Sequence, residues 1–138
     1  MQAVCRLLHN VAVPALDHVA LAVRDPSASL AFYQDVVGVD GSVREEAYGF
    51  VISTPNGVSF TLFRGTPPPD VGEFHLGVSL ADGDAVRTRR AELRSLSVSE
   101  LEWSEEPGYV SMKVADPDGY IVELAWDEQH ERATGMRS

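Results

Sequence analysis

The sequence predicts an α+β fold made of two βαβββ modules. Short apolar segments rich in β-branched residues alternate along the 138 residues with segments of helical periodicity. A histidine inside an apolar strand recurs after 57 residues, as His18 and His75. Near the end of each half, Thr61 and Glu123 correspond at an offset of 62, each following a turn glycine that has the same offset. Two copies of one module are the simplest explanation of these offsets, and we expect the five-residue difference to lie in variable loops between helix and hairpin.

The first module is predicted to extend over about residues 15–65. Leu16–Val23 alternates as a strand, with His18 on the face of small residues. Asp25 and Pro26 are typical of a helix start, and Gly38 is typical of its end. Two further strands flank a predicted hairpin turn; the three segments are Tyr48–Ser53, Thr54–Gly57 and Val58–Phe63.

The second module, about residues 72–126, follows a linker at 65–71 that contains three successive prolines. Its predicted elements repeat the first set: a strand at Phe74–Leu80, a helix capped by Asp82 and ending near Ser95, a strand at Tyr109–Val114, a turn at Asp116–Gly119 and a strand bearing Glu123. The residues after Asp127 are polar and predict a frayed helix or tail, and Met1–Val13 is open to interpretation as an edge strand or a loose arm.

Composition restricts the class of protein. One domain of 138 residues can bury a sizeable core, and no apolar run approaches the roughly 20 residues that a membrane span needs. A formal charge of −10 argues against nucleic-acid and anionic membrane partners. The single cysteine, Cys5, excludes an internal disulfide framework, and the N-terminal segment makes a poor signal peptide, so we expect a cytoplasmic protein.

His18, His75 and Glu123 form the candidate metal site. Each lies on a strand face whose other residues are small or mixed, whereas the opposite faces are Val, Leu or Phe. A carboxylate between apolar neighbours needs a partner, which on the sequence alone is a metal ion, an arginine or water at a concave surface. Two imidazoles and one carboxylate bind Fe²⁺ with positions left open, and Zn²⁺, Mn²⁺ or Ni²⁺ also accept the set. Thr61, the fourth equivalent position, is a poor ligand.

The chain resembles the vicinal oxygen chelate superfamily, which contains glyoxalase I, extradiol dioxygenases, methylmalonyl-CoA epimerases and antibiotic-resistance proteins. The matching segments are Leu16–Asp25, Ser29–Tyr33 with Gly38, Phe74–Leu76 and Asp116–Leu124. This resemblance implies that the eight strands form a half-open cup. It also implies a homodimer, because short members usually complete the cup with a second subunit.

Departures from the family pattern argue against several of the activities found in the family. Glyoxalase I enzymes carry Glu or Gln, and the epimerases Gln, at the position of Thr61, which argues against both activities. Bleomycin-binding members lack the metal ligands that are present here. Fosfomycin-resistance thiol transferases share the three ligands and a tail arginine near Arg132, but Ala20 replaces their threonine. Lys113 stands where they, and the extradiol dioxygenases, have a tyrosine.

These observations favour a metal-dependent enzyme that acts on a small oxygenated substrate by dioxygenase-like or lyase-like chemistry. The alternative is an antibiotic-resistance or small-molecule binding protein without catalysis. Lys113 and Thr61 are the candidate catalytic residues. The candidate substrate-binding residues are Phe50, Phe63, Tyr109, Ser111, Arg64 and Arg132, for which core packing or solvated surface is the competing interpretation.

Overall fold

Residues 14–135 are described by the computed structural model, and within them eight strands alternate with four helical segments. The strands are β1 (His18–Val23), β2 (Ser42–Glu46), β3 (Gly49–Ser53), β4 (Ser59–Arg64), β5 (His75–Ser79), β6 (Glu100–Glu106), β7 (Tyr109–Ala115) and β8 (Ile121–Asp127). The helices are α1 (Pro26–Ala31), which continues into a π-helical segment (Phe32–Val37), α2 (Gly83–Ser95) and α3 (Glu128–Thr134). The edge strand or arm considered for Met1–Val13 lies outside the described residues.

Two separate four-stranded sheets carry the fold. Sheet 1 has the order β1-β4-β3-β2 and sheet 2 the order β5-β8-β7-β6. In sheet 1, β1 runs parallel to β4, and in sheet 2, β5 runs parallel to β8. The remaining neighbours are antiparallel. The predicted α+β fold of paired βαβββ modules is therefore confirmed. Among residues 14–135, β1 and β5 each end their sheet, and neither sheet is closed.

The strand register repeats between the two sheets. Ala20 of β1 pairs with Thr61 of β4, and Gly77 of β5 pairs with Glu123 of β8. Thr61 and Glu123 therefore occupy equivalent places, as the sequence offset predicted. The extra residues of the second module lie mainly in longer strands and not in loops, since β6 and β7 have seven residues each where β2 and β3 have five.

The helices begin and end where the sequence predicted. The Asp25 carboxylate accepts hydrogen bonds from the amides of Ser27 and Ala28 at 3.1 and 3.3 Å, which satisfies two donors at the start of α1. Gly38 ends the π-helical segment with a φ of 86°, a left-handed conformation that costs glycine little. Asp82 caps α2 through the amide of Ala85 at 2.7 Å.

β2 and β6 were not predicted as individual strands. Their sequences are strongly polar, and both lie at a sheet edge, where charged side chains discourage pairing with another chain. The frayed helix predicted after Asp127 is the short helix α3, which Asp127 caps.

The helices cover one face of each sheet and leave the other free. The core between helices and sheets includes apolar side chains from both modules, among them Leu21, Val23, Tyr33, Val37, Ile52, Leu62, Val86, Leu93, Met112, Val114, Val122 and Leu124. We call the opposite side, on which His18, Ala20 and Gly77 are exposed, the open face of each sheet. Within residues 14–135, no helix combines the length and apolar character needed to cross a membrane.

The turn before β8 also joins the two modules. The Tyr33 hydroxyl donates to Oδ2 of Asp116 at 2.6 Å, and the Tyr120 hydroxyl donates to the Ala22 carbonyl at 2.8 Å. Asp118 accepts from the Arg24 amide at 3.1 Å. These bonds fix the end of β1 against the second module, so the two sheets of one chain are held in one relative position.

Candidate metal centre

The open face of sheet 2 carries most of the candidate site. The register places Gly77, Glu123, Lys113 and Glu102 in one row across β5, β8, β7 and β6. Strand alternation puts His75 on the same face of β5 as Gly77. No atom would contact a Cβ built on Gly77, so the space beside Glu123 is open.

Glu123 uses its two oxygens differently. Oε1 accepts hydrogen bonds from the hydroxyls of Ser111, at 2.6 Å, and Tyr109. Oε2 lies 3.0 Å from Nε2 of His75. The carboxylate side chain is only 13% exposed and the imidazole 36%. Oε1 is thus held by side chains of the neighbouring strand β7, and Oε2 faces His75 on the open face of the sheet.

The partner of Nδ1 determines what Nε2 of His75 can do. Nδ1 lies 2.9 Å from the backbone carbonyl of Glu73, which can only accept, so Nδ1 carries the proton. Nε2 then has a lone pair directed at a carboxylate oxygen. Two such atoms at 3.0 Å require a cation between or on them, either a proton or a metal ion. Neighbouring ligands of an octahedral ion with bonds of about 2.1 Å are about 3.0 Å apart, so the pair fits a metal.

The electrostatics keep Glu123 ionised. Burial opposes its charge, but hydrogen bonds from Ser111 and Tyr109 and the nearby His75 and Lys113 outweigh burial, and the net pKa of Glu123 is lowered. Burial and the hydrogen bond to Glu123 raise the pKa of Tyr109, which therefore stays a neutral donor. The ionised carboxylate is the form in which Glu123 can bind a metal ion.

His18 and Thr61 lie on the open face of sheet 1. Nδ1 of His18 is hydrogen bonded to the carboxylate of Asp17, which leaves Nε2 as the free ring nitrogen. The imidazole is 66% exposed. Thr61 lies on the same face as His18 and pairs with Ala20, which follows His18 by two residues in β1. Histidines oriented by an oxygen acceptor at Nδ1 are typical of metal ligands.

The described residues of one chain do not bring the whole set together. His18 belongs to sheet 1 and His75 with Glu123 to sheet 2. Within residues 14–135, no three His, Cys, Asp or Glu side chains converge in a group that could hold a metal ion. The structure therefore brings together two of the three predicted ligands and leaves the third on the other sheet.

Lys113 lies directly beside Glu123 in the register. Its side chain is 21% exposed, and its ammonium group lies 3.5 Å from the carboxylate of Glu102. This ion pair is long and its acidic partner is mostly exposed, so it restrains the lysine weakly. Lys113 therefore provides a positive charge on the open face next to the candidate ligand.

The other candidate residues are distributed over several surfaces. Phe63 lies on the open face of sheet 1, next to Ala22 and in the row after Thr61. Phe50 and Arg64 alternate to the helix-covered face, because they are one position out of phase with Val51 and Phe63. Arg132 lies on α3, and its guanidinium pairs with the carboxylate of Glu128 at 2.6 Å.

Several residues of the site had no role in the sequence interpretation. Asp17 and Glu73 orient the two histidines, and the position of Asp17 next to His18 was a usable signal. Glu102 and Arg44 lie on the open faces, in the rows of Glu123 and Thr61. They belong to the charged edge strands β2 and β6. Because these strands show no alternation of apolar residues, the sequence did not predict which face their side chains occupy.

The fold and the site together define a class: proteins of paired βαβββ modules with polar, ionisable side chains on the open faces of their sheets. The chain belongs to the Glyoxalase/Bleomycin resistance protein/Dioxygenase superfamily, whose family model matches residues 15–124. No curated protein sequence matches the chain significantly.

Solved structures with this fold include proteins of different activities. The chain is similar to the fosfomycin resistance protein FosX from Listeria monocytogenes, with 18% identity, a TM-score of 0.74 and coverage of 88% of this chain and 99% of that one. Lactoylglutathione lyase from Agrobacterium tumefaciens gives 22% identity, a TM-score of 0.66 and coverage of 83% and 94%. An antibiotic-binding protein from a Streptomyces species gives 22% identity, a TM-score of 0.63 and coverage of 83% of this chain and 96% of that one. At these identities the likeness shows the fold and leaves the function undetermined.

Proposed function

We propose that the protein is a metal-dependent enzyme that binds a divalent ion through His18 of one subunit and His75 and Glu123 of a second subunit. It acts on a small substrate that presents two adjacent oxygens. The observation that carries this proposal is the facing pair of Nε2 of His75 and Oε2 of Glu123 at 3.0 Å, with Nδ1 already bonded to a carbonyl. An arrangement of two lone-pair donors needs a cation, and the chemistry of the donors suits Fe²⁺, Mn²⁺, Zn²⁺ or Ni²⁺.

A second copy of the chain is the natural source of the missing ligand. In the part of the chain that the structure describes, β1 and β5 are open edges, and apolar side chains are exposed just before each of them: Leu16 at 87% and Phe74 at 58%. Unpaired edges and exposed apolar residues favour association. Placing β1 of one subunit beside β5 of the other would join two open faces into one cup and bring His18 towards His75.

The chain's own residues suggest what they contribute to the reaction. A bound divalent ion would act as a Lewis acid on the two substrate oxygens. The ammonium group of Lys113, in the row of Glu123, would stabilise negative charge that develops on the substrate. Thr61 offers one hydroxyl where a carboxylate would otherwise fill a coordination position, which leaves room for substrate. This arrangement favours dioxygenase-like or lyase-like chemistry.

Mixing two inactive variants tests the shared site. His18→Ala and Glu123→Ala proteins should each lose metal binding, measured as ions per chain after dialysis against buffered Mn²⁺. After subunit exchange in an equimolar mixture, random pairing should restore about one quarter of the sites, because half of the dimers are mixed and each has one intact set. The matched control mixes His75→Ala with Glu123→Ala and should restore nothing, because one subunit supplies both residues to a given site and every site therefore lacks one of them.

Failure to restore binding in the first mixture, in proteins that light scattering shows to be exchanging dimers, would rule out a site shared between subunits. The class of reaction is then tested with a panel of catechols and vicinal oxygen compounds, with Fe²⁺ and Mn²⁺, in air and without oxygen. Oxygen-dependent turnover indicates a dioxygenase and oxygen-independent turnover a lyase. Tight binding without turnover under every metal would instead support a small-molecule binding protein.

A further inference from the structure

We infer that Ser111 and Tyr109 are positioning residues that fix Glu123 as a single-oxygen ligand, and that they do not bind substrate. This inference rests on the proposed metal site and concerns how the chain prepares it. Both hydroxyls donate to Oε1 of Glu123, Ser111 at 2.6 Å, and neither bonds to Oε2. The oxygen left for a cation is the one that faces His75.

Burial makes the arrangement rigid. Ser111 is 3% exposed and lies in the middle of β7, so its hydroxyl has little freedom to turn towards a ligand in the cup. A carboxylate oxygen has two lone pairs, and the two hydroxyls of Ser111 and Tyr109 use both of them on Oε1. That oxygen is saturated, so Glu123 cannot chelate with both oxygens unless a hydroxyl is displaced.

The first sheet supplies an internal comparison. Ser111 pairs with Ala125, and the equivalent pair in sheet 1 is Gly49 with Phe63. The position that holds the serine hydroxyl beside Glu123 therefore holds a glycine beside Thr61. The hydroxyl is present in the half that has a carboxylate to orient and missing in the half that has none.

This role has a consequence for the metal. A carboxylate that binds through one oxygen occupies one coordination position, whereas a chelating carboxylate occupies two. Ser111 and Tyr109 thereby keep one further position available to the substrate or to water. Partners that orient a ligand in this manner typically change metal affinity by about 10- to 100-fold when they are removed.

The test uses Co²⁺ as the probe, because its visible absorption reports coordination number and needs no substrate. The variants are Ser111→Ala, Tyr109→Phe and their combination, with Ser111→Thr as the variant that keeps the hydroxyl. The matched control is Ser104→Ala, which removes a serine hydroxyl from the strand position paired with Ser111. Affinity is measured by competition with a chromophoric chelator, and folding by thermal unfolding of the metal-free proteins.

We expect the combined variant to bind Co²⁺ about 10- to 100-fold more weakly and to show an altered visible spectrum. Ser111→Thr and Ser104→Ala should keep the affinity and spectrum of the unmodified protein. Tyr109→Phe keeps the inference testable if Ser111→Ala unfolds, since it removes one donor at a more exposed site. An unmodified protein that binds Co²⁺, with variants that match it in both affinity and spectrum, would overturn the positioning role alone. An unmodified protein that binds no Co²⁺ would overturn the proposed function and, with it, this role.

Discussion

Tyr33 and Asp116 are joined by a 2.6 Å hydrogen bond across 83 residues of sequence. Both side chains are buried, and the other oxygen of Asp116 accepts from the amides of Asp118 at 2.9 Å and Tyr120 at 2.8 Å. One carboxylate therefore organises the turn before β8 and also holds the helical segment of the first module. The position of Glu123 relative to the first module depends on this contact.

Removing this bond should destabilise the protein measurably. Tyr33→Phe leaves one buried carboxylate oxygen without a donor and should lower the free energy of unfolding by about 1–3 kcal/mol. Asp116→Ala removes the acceptor of three donors and should cost more. Urea unfolding of the two single variants and the double variant gives their coupling energy, which we expect at about 0.5–3 kcal/mol. Strictly additive effects would mean that the bond contributes nothing.

The stability should also depend on pH through Asp116. Burial raises the pKa of Asp116 above its ordinary value of 3.8, although hydrogen bonds from Tyr33 and from the amides of Tyr120 and Asp118 act against burial. The folded state then favours the protonated acid, so this group's contribution is complete below the ordinary value and is lost as pH rises through the folded pKa. Asp116→Asn cannot ionise. Its Tm should therefore improve relative to the unmodified protein between about pH 4 and pH 7. A constant Tm difference across that range would contradict the raised pKa.

The charge of Lys113 should weaken metal binding in the absence of substrate. Replacement by Met removes a positive charge beside Glu123, and at an effective dielectric constant of about 20 this should tighten Mn²⁺ binding several-fold. Lys113→Arg keeps the charge and is the control. Isothermal titration at low ionic strength measures both. Equal affinities for Lys113→Met and Lys113→Arg would place the ammonium group too far from the ligands to act on the ion or on substrate.

Thr61 offers a test of the shared register. Thr61→Glu places a carboxylate at the position equivalent to Glu123, and it should bind Zn²⁺ or Ni²⁺ at least about 10-fold more tightly because an anionic ligand is added. Thr61→Val should leave affinity nearly unchanged, since a threonine is not a strong ligand. Competition with a chelating dye measures both variants. Unchanged affinity in Thr61→Glu would show that position 61 does not reach the ion in the assembled cup.

The sequence predicted the strands that carry the candidate ligands because each combines an apolar face with one distinctive residue. It could not predict the faces of Phe50 and Arg64. β3 is apolar on consecutive residues from Phe50 to Ile52, so alternation gives no phase, and the face follows only from pairing with β4. The role of Ser111 was hidden for a related reason. Its bond to Glu123 depends on the register of β7 against β8, which no local pattern encodes.

The matched register of the two sheets restricts where residues can be inserted into this chain. Val51 precedes its partner Thr61 by the same number of residues as Lys113 precedes Glu123, so the β3–β4 and β7–β8 turns have kept one length, whereas β6 and β7 are longer than β2 and β3. Inserting a single residue in either turn would reverse the face of the strand that follows and move Thr61 or Glu123 into the core. Insertions between α2 and β6 leave these pairings intact. Variation in length is therefore tolerated before β3 and β7 and excluded in the turns that follow them, and a library of insertions scored by soluble expression would show two gaps at those turns.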